Sequence, residues 1–336
     1  MSSERSSFPD RLSDEPVYPG NATPLDRLGY GALGPPPVHL RFQHCYWVHA
    51  LLLVATLATT TVVGVFHYDG FLAAFDVGSP RFDLAMFLNG FWYSGTLLAI
   101  LGAHELGHYF MCRYHRVDAT LPYFLPAPLP LTGTIGAFIR IREMFPSKAV
   151  LFDIGVGGPI AGFVLLVPAL FVGLGLSNIA PLPENFEGLS LGEPLLFKLA
   201  AWLVWGPVPA DASINLHPMA FAAWFGLIAT ALNLMPFGQL DGGHIAYAVL
   251  GPRATRVSLA TVLTAIALAF VSSSWLVVTI MMLVMLFTVG ARHPRVIDEH
   301  LPLDPTRRWI ALVSAIIFIL CFTPAPIEPY QLISNP

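Results

Sequence analysis

The chain has 336 residues, 55% of them hydrophobic and only 11% charged, whereas a soluble domain carries charge on about a quarter of its residues. Several uncharged stretches approach the ~20 residues needed to cross about 30 Å of hydrocarbon, so an ordinary soluble domain is excluded. The net charge is −4 with no basic stripe, which leaves nucleic acid binding without an electrostatic basis. Cys45, Cys112 and Cys321 match no metal or redox spacing and leave an odd number for pairing.

Residues 1–46 mix Ser, Pro, Asp and Arg without an apolar run and are expected to form a disordered arm. Trp47 to Phe66 is too long for a signal-peptide core and lacks a small-residue cleavage site, so it reads as a retained membrane helix. A polar stretch with Asp69, Asp76, Arg81 and Asp83 leads to a second span, about Leu84 to Tyr114, which holds His104-Glu105-Leu106-Gly107-His108. From Leu121 to Pro146 the pattern changes to repeated prolines and Gly133-Thr134-Ile135-Gly136. Then Phe138-Ile139-Arg140-Ile141-Arg142 alternates as a strand does, and the segment reads as a β-hairpin or re-entrant loop.

A third span, about Ala149 to Leu176, contains Gly158-Pro159-Ile160-Ala161-Gly162, where small residues four apart admit another helix closely. Residues 177–216 form an acidic connection with Glu184, Glu187, Glu193 and Asp211 and a short interfacial helix around Pro194 to Trp205. The connection is too short for an inserted globular domain. A fourth span, His217 to Met235, breaks at Pro236 and resumes near Leu240 with Asp241-Gly242-Gly243. Further spans are expected at about Val257 to Val271, Trp275 to Val289 and Trp309 to Phe322. Fifteen of the 17 Lys and Arg residues fall on one side of these seven spans, which places the N-terminus in the cytoplasm. The expected fold is an all-α polytopic membrane protein of about seven transmembrane helices, with a small β-hairpin or re-entrant segment after the motif helix.

Histidines at i and i+4 lie one turn apart on one helix face, where both reach a single metal ion. In hydrolases with this pattern the glutamate between them takes a proton from the attacking water and later delivers it to the leaving amine. With 11 His in the chain, chance alone yields about 0.01 such motifs. The alternative is that the histidines satisfy polar partners or line a transport pathway. Three ionisable groups in five membrane residues, with no basic partner on the same turn, argue instead for a compensating cation.

A catalytic zinc normally takes three protein ligands. Asp241 is the candidate for the third, since it follows the Pro236 break near the cytoplasmic end and His104 lies roughly 13 Å along its helix from the exit at Arg113. Capping of the helix that begins at Gly242 is the competing role.

These residues resemble the site-2 proteases, the M50 intramembrane metalloproteases, over about residues 84–250. The resemblance rests on His104-Glu105-Leu106-Gly107-His108, on Phe152-Asp153-Ile154 leading into Gly158-Pro159-Ile160-Ala161-Gly162, and on Asn233-Leu234-Met235-Pro236 followed by Leu240-Asp241-Gly242-Gly243. It implies one Zn2+ per chain held by His104, His108 and Asp241, with Glu105 catalytic. It also implies that Asn233 holds the substrate backbone or the developing oxyanion; an interhelical hydrogen bond is the other role open to it.

The expected organisation is then a cytoplasmic arm (1–46), a first helix and loop (47–83), a catalytic membrane core (84–250) and C-terminal transmembrane helices with a tail (251–336). The expected reaction is zinc-dependent hydrolysis of peptide bonds within or near transmembrane segments, as in regulated intramembrane proteolysis. Its partners would be a transmembrane substrate, such as a membrane-anchored regulator, and membrane lipids, in a prokaryotic inner membrane. PDZ inserts and CBS pairs, common in the family, are not visible in these 336 residues, so selection by them is not expected. The segment Ile135 to Ile141, with Ile139 and Ile141, offers an edge on which an extended substrate could pair as an added strand. The rival readings are a membrane ion or metal transporter and a catalytically idle scaffold.

Four features receive lesser roles. His244, three residues after Asp241, either supports a ligand from behind or packs helices. Cys112, one turn after His108, reads as a small apolar filler rather than a metal neighbour. His217 and His293 precede prolines at span ends and read as solvated turns. Met281-Met282 reads as lipid-facing or packing.

Overall fold

A computed structural model describes residues 45–73, 83–142, 144–181, 187–209, 211–291 and 293–331, all within the compact unit Phe42–Pro336. Nearly all of the expected arm, together with Asp76, Arg81, Glu184 and Arg292, lies outside the described residues. The chain runs α1 (Tyr46–Ala73), α2 (Leu84–Asn89), α3 (Phe91–Tyr114), β1 (Tyr123–Pro126), β2 (Thr134–Phe138), α4 (Lys148–Leu176), β3 (Asn178–Pro181) and β4 (Glu187–Leu191). It continues through α5 (Leu195–Trp205), β5 (Ala212–Asn215), α6 (Pro218–Asn233), α7 (Asp241–Leu250), α8 (Ala254–Ala269), α9 (Ser274–Thr288), α10 (Pro305–Cys321) and β6 (Ile327–Gln331).

The chain is mostly helical. Among the described residues three helices are long and apolar enough to cross a membrane, Tyr46–Ala73, Leu84–Tyr114 and Lys148–Leu176. The second bends at Gly90, between α2 and α3, where the expected span was continuous. Shorter apolar helices are α5, α6 and α9.

The motif helix α3 packs against α4, α6 and α1, and α4 in turn packs against α6 and α7. Phe152, Leu166, Leu170 and Leu174 of α4 are fully buried against Trp224 and Leu227 of α6. Where lipid takes the place of water, such helices are held together by close van der Waals packing rather than by escape from water, and these side chains supply it between α4 and α6. The α8–α9 pair packs around Met235, Phe237, Val262, Trp275 and Met282. Helix α10 lies against α4, α5, α6 and α7, so it belongs to the core rather than standing apart in lipid.

β1 and β2 pair antiparallel, with Tyr123 opposite Phe138. The turn between them is bonded to two helices: Thr59 Oγ1 donates to Gly133 O at 2.7 Å, and Tyr93 OH donates to Leu131 O at 3.0 Å. His67 Nε2 meets the same Leu131 carbonyl at 3.0 Å. Buried carbonyls need donors, and these side chains supply them, so the hairpin is also re-entrant between α1 and α3. Its second strand is Thr134–Phe138, earlier than the alternating run Phe138 to Arg142. That run pairs irregularly with 118–120 through an Ala119–Ile141 bridge and Thr120 N to Arg140 O.

The connection 177–216 holds more than the expected interfacial helix. β3 pairs with β5, and β4 pairs with β6 from the far C-terminus, so the expected helical fold with one hairpin omits two two-stranded sheets among the described residues. A local pattern could not show a partner about 140 residues away. A cavity of about 1010 Å³ opens at this end, lined by Phe197, Ser213, Phe221 and Trp224 among others; neither the motif residues nor Asp241 line it.

Candidate metal centre

His104 and His108 project from one face of α3 with their Nε2 atoms 3.1 Å apart. Asp241 Oδ2 meets them at 3.1 and 3.3 Å, and the three side chains are only 8, 9 and 16% exposed. Asp241 is the first residue of α7; Leu240 is its N-cap and no side chain caps the helix, so the capping alternative is not realised. Its carboxylate turns to the histidines instead.

The backbone before α7 explains how the aspartate gets there. After Asn233 the chain turns tightly through Pro236, with Leu240 N bonded to Phe237 O at 3.1 Å and Gly238 at φ +54°. A β-carbon on Gly242 would collide with the Leu234 and Met235 carbonyls, and one on Gly243 with those of Phe237 and Gly238. Two glycines therefore let α7 begin pressed against the end of α6.

His108 Nδ1 lies 2.7 Å from the carbonyl of Ile154 on α4. A carbonyl only accepts, so Nδ1 carries the proton and Nε2 presents its lone pair toward His104 and Asp241. Two imidazole nitrogens and a carboxylate oxygen, all within 4.8 Å of one another, could together hold one cation. Nitrogen and carboxylate donors of this kind suit zinc. Glu105 lies beside them, buried at 9% exposure, with the Ile139 backbone amide in range of its carboxylate. Asn233 Nδ2 stands 3.3 Å from His104 Nε2, so the structure brings Asn233 to the centre along with the others. Ile141 does not come forward; it packs with Cys112, Val117, Ala119 and Ile154.

Helix α4 reaches this centre through its glycines. A β-carbon on Gly158 would overlap the His108 ring, and one on Gly107 would overlap the Gly157 carbonyl. The small-residue spacing announces a close helix approach; that the approaching helix is the motif helix, and that Gly158 faces a ligand ring, is visible only in three dimensions.

Cys112 is fully buried in the apolar cluster just named and is not among the converging donors. Cys112→Ala is accordingly expected to keep its metal content at the wild-type level by elemental analysis. Two other readings change. His217 is buried rather than solvated: it caps α6 by accepting from Met219 N at 3.2 Å and meets the Phe71 and Trp92 rings edge-on. His293 is not a free turn residue either. Its Nε2 lies 2.6 Å from His244 Nδ1, its Nδ1 donates to Pro294 O, and its ring stacks on Tyr247 at 4.4 Å. Burial lowers the His293 pKa below the ordinary histidine value despite the Pro294 bond, which favours the neutral ring. His244 thus meets His293 rather than a ligand.

Two histidines and an aspartate that could hold a metal ion, with a glutamate beside them, converge among apolar helices. A family model for peptidase family M50 matches residues 92–276, and the chain belongs to that family, the site-2 proteases. It is similar to the probable chloroplastic zinc metalloprotease EGY2 of Oryza sativa subsp. indica, with 28% identity over 276 residues, covering 79% of this chain and 47% of the relative. It also resembles the probable zinc metalloprotease EGY1 of Arabidopsis thaliana, with 33% identity over 166 residues, 47% of this chain and 29% of that one. A third relative is the probable zinc metalloprotease EGY3 of Oryza sativa subsp. indica, at 31% identity over 247 residues, 68% of this chain and 41% of the relative. The chain spans about half the length of the first of these relatives. No solved structure matches it.

Proposed function

We propose that the protein is an intramembrane zinc metalloprotease that hydrolyses peptide bonds within or next to transmembrane segments of membrane proteins. The observation that carries this reading is the convergence of His104, His108 and Asp241 with Glu105 beside them. One zinc ion held by those three residues would supply Lewis-acid activation of the scissile carbonyl and of water. Glu105 takes the proton from the attacking water and hands it to the departing amine. Asn233, with its amide at His104, donates to the oxyanion as it develops. Ile154 keeps His108 in the tautomer that leaves Nε2 free.

A helical substrate must unwind before attack, because its peptide groups are tied up in its own hydrogen bonds. The strand and its continuation past Ile139, whose amide is in range of Glu105, offer the unwound segment a backbone to pair with. Proline at both Ile139 and Ile141 removes the N–H of each, the first of them turned toward Glu105. Cleavage is expected to fall at least about tenfold with metal content retained, as the loss of one or two net hydrogen bonds implies. Undiminished cleavage by the folded variant would rule out strand pairing.

The substrates in this reading are membrane-anchored regulators such as transcription regulators or anti-sigma factors, reached through the lipid. The Lys and Arg asymmetry supports a layout of seven spans with a cytoplasmic N-terminus, of which three helices among the described residues are long and apolar enough to cross a membrane. The relatives' names say chloroplastic, and they lend no support to a prokaryotic inner membrane.

Zinc per polypeptide in wild type, Asp241→Ala and Glu105→Gln tests the reading without a known substrate. About one zinc in wild type, lost or weakened in Asp241→Ala and kept in Glu105→Gln, is the expected pattern. A well-folded wild type that takes up no zinc would sink it.

A further inference from the structure

We infer that Asp153 and Arg307 are positioning residues of the metal centre: the carboxylate on α4, gripped by a guanidinium from α10, holds the carbonyl that fixes the His108 ring. The inference rests on the metal-centre reading above. Phe152-Asp153-Ile154 is a sequence motif whose ionisable group has no task in the proposed chemistry, yet its surroundings are elaborate. Arg307 Nε lies 2.8 Å from Asp153 Oδ1 and Nη2 lies 2.6 Å from Oδ2, a two-pronged grip that sets direction as well as distance. His115 Nε2 reaches Oδ2 at 2.8 Å. Asp304, whose side chain caps α10 through Arg307 N, also engages Arg307 Nη1.

His115 is the C-cap of α3, seven residues beyond His108 and so two turns along the same face. Asp153 directly precedes Ile154, whose carbonyl receives His108 Nδ1. Helices α3 and α4 are therefore joined twice along one seam by polar bonds, at His108 and at His115. Around those bonds Gly107 meets the Gly157 backbone, Met111 packs on Gly157 and Cys112 packs with Ile154. Glycine contacts allow this close approach, and the directional polar bonds at His108 and His115 act with the side-chain packing to fix the register. A slip along the seam would carry the Ile154 carbonyl off the line of the His108 Nδ1–H, and a hydrogen bond weakens as it bends, so the ring's orientation would loosen. Arg307 ties this seam to α10, which gives the last helix a part in the centre.

The test uses full-length wild type, Arg307→Ala, Arg307→Lys and Asp153→Asn in detergent. It reads zinc affinity by chelator competition, the visible absorption of the cobalt(II)-loaded protein and the unfolding temperature of the metal-free protein. Arg307→Ala and Asp153→Asn are expected to lose about 10- to 100-fold in metal affinity, the range for residues that orient a ligand, with displaced cobalt bands. Arg307→Lys, which restores the charge but not the fork, is expected to fall between. A lower unfolding temperature with wild-type affinity and cobalt spectrum would reduce the pair to a structural latch and overturn the inference, as would four proteins that bind alike. Where Arg307→Ala does not fold, the conservative Arg307→Lys and Asp153→Asn decide the matter on the same readouts. A wild type that binds no zinc would fell the metal-centre reading itself, and the inference with it.

Discussion

Glu105→Gln is expected to lower turnover by about 10²- to 10⁴-fold, the range for removing a general acid–base group, while zinc content stays at the wild-type level. The amide matches the carboxylate in shape but does not accept the proton that the attacking water must shed. Nothing nearby is placed to replace it: His104, His108 and Asp241 point their donor atoms at one another, and Asn233 has only an amide to offer. Burial of Glu105 at 9% exposure also limits rescue by solvent bases. Single-turnover cleavage of a transmembrane substrate, measured beside zinc content, checks both halves. Cleavage within threefold of wild type would remove Glu105 from the chemistry, whereas loss of zinc as well would make it a structural support.

Gly158→Ala is the second large effect, and it acts without removing any polar group. The added methyl carbon would sit within 2.6 Å of His108 Cε1 and nearer still to Nε2 and Cδ2, and such overlap forces either the ring or the helix to move. The ring is held from behind by Ile154 O at 2.7 Å, and α4 is already in backbone contact with α3 at Gly107 and Gly157. Overpacking of this kind costs about 1–3 kcal/mol, and metal affinity is expected to fall at least about a hundredfold because a ligand is displaced.

Two substitutions on the same helix calibrate it. A β-carbon on Gly162 meets His104 Cβ at 3.2 Å and needs only a few tenths of an ångström of give, while one on Gly175 meets nothing within 4 Å. The expected order of zinc affinity is therefore Gly175→Ala equal to wild type, Gly162→Ala slightly weaker and Gly158→Ala far weaker. Equal affinities across the three would mean that α3 and α4 are not packed as described.

His104, Glu105 and His108 were legible from the sequence because their geometry is local: one turn of helix brings i and i+4 together whatever the rest of the chain does. The same holds for the long apolar spans, whose length is set by the bilayer, and for α4, predicted from Ala149 to Leu176 and observed from Lys148 to Leu176. Asp241 was half legible. Its approximate depth followed from the Pro236 break, but spacing alone left both capping and ligation open, and the turn from Leu234 to Leu240 carries its carboxylate to the two histidines.

The rest depended on contacts between distant segments, which carry no periodic signal. Gly158 looked like any small residue at a helix crossing until the crossing partner was known to be α3. His293 read as a solvated turn and Arg307 lay outside the expected spans, yet they reach His244 and Asp153 across 49 and 154 positions of chain. The strands β4 and β6 had no strand nearby in sequence to pair with, since each pairs with the other across about 140 positions of chain. The sequence by itself determined the chemistry that one helical turn can hold and the solvent that the helices must face. The tertiary structure decided which backbone lies behind each ligand, because side-chain register between helices is set by packing and by polar bonds between segments, not by the residues of either helix alone.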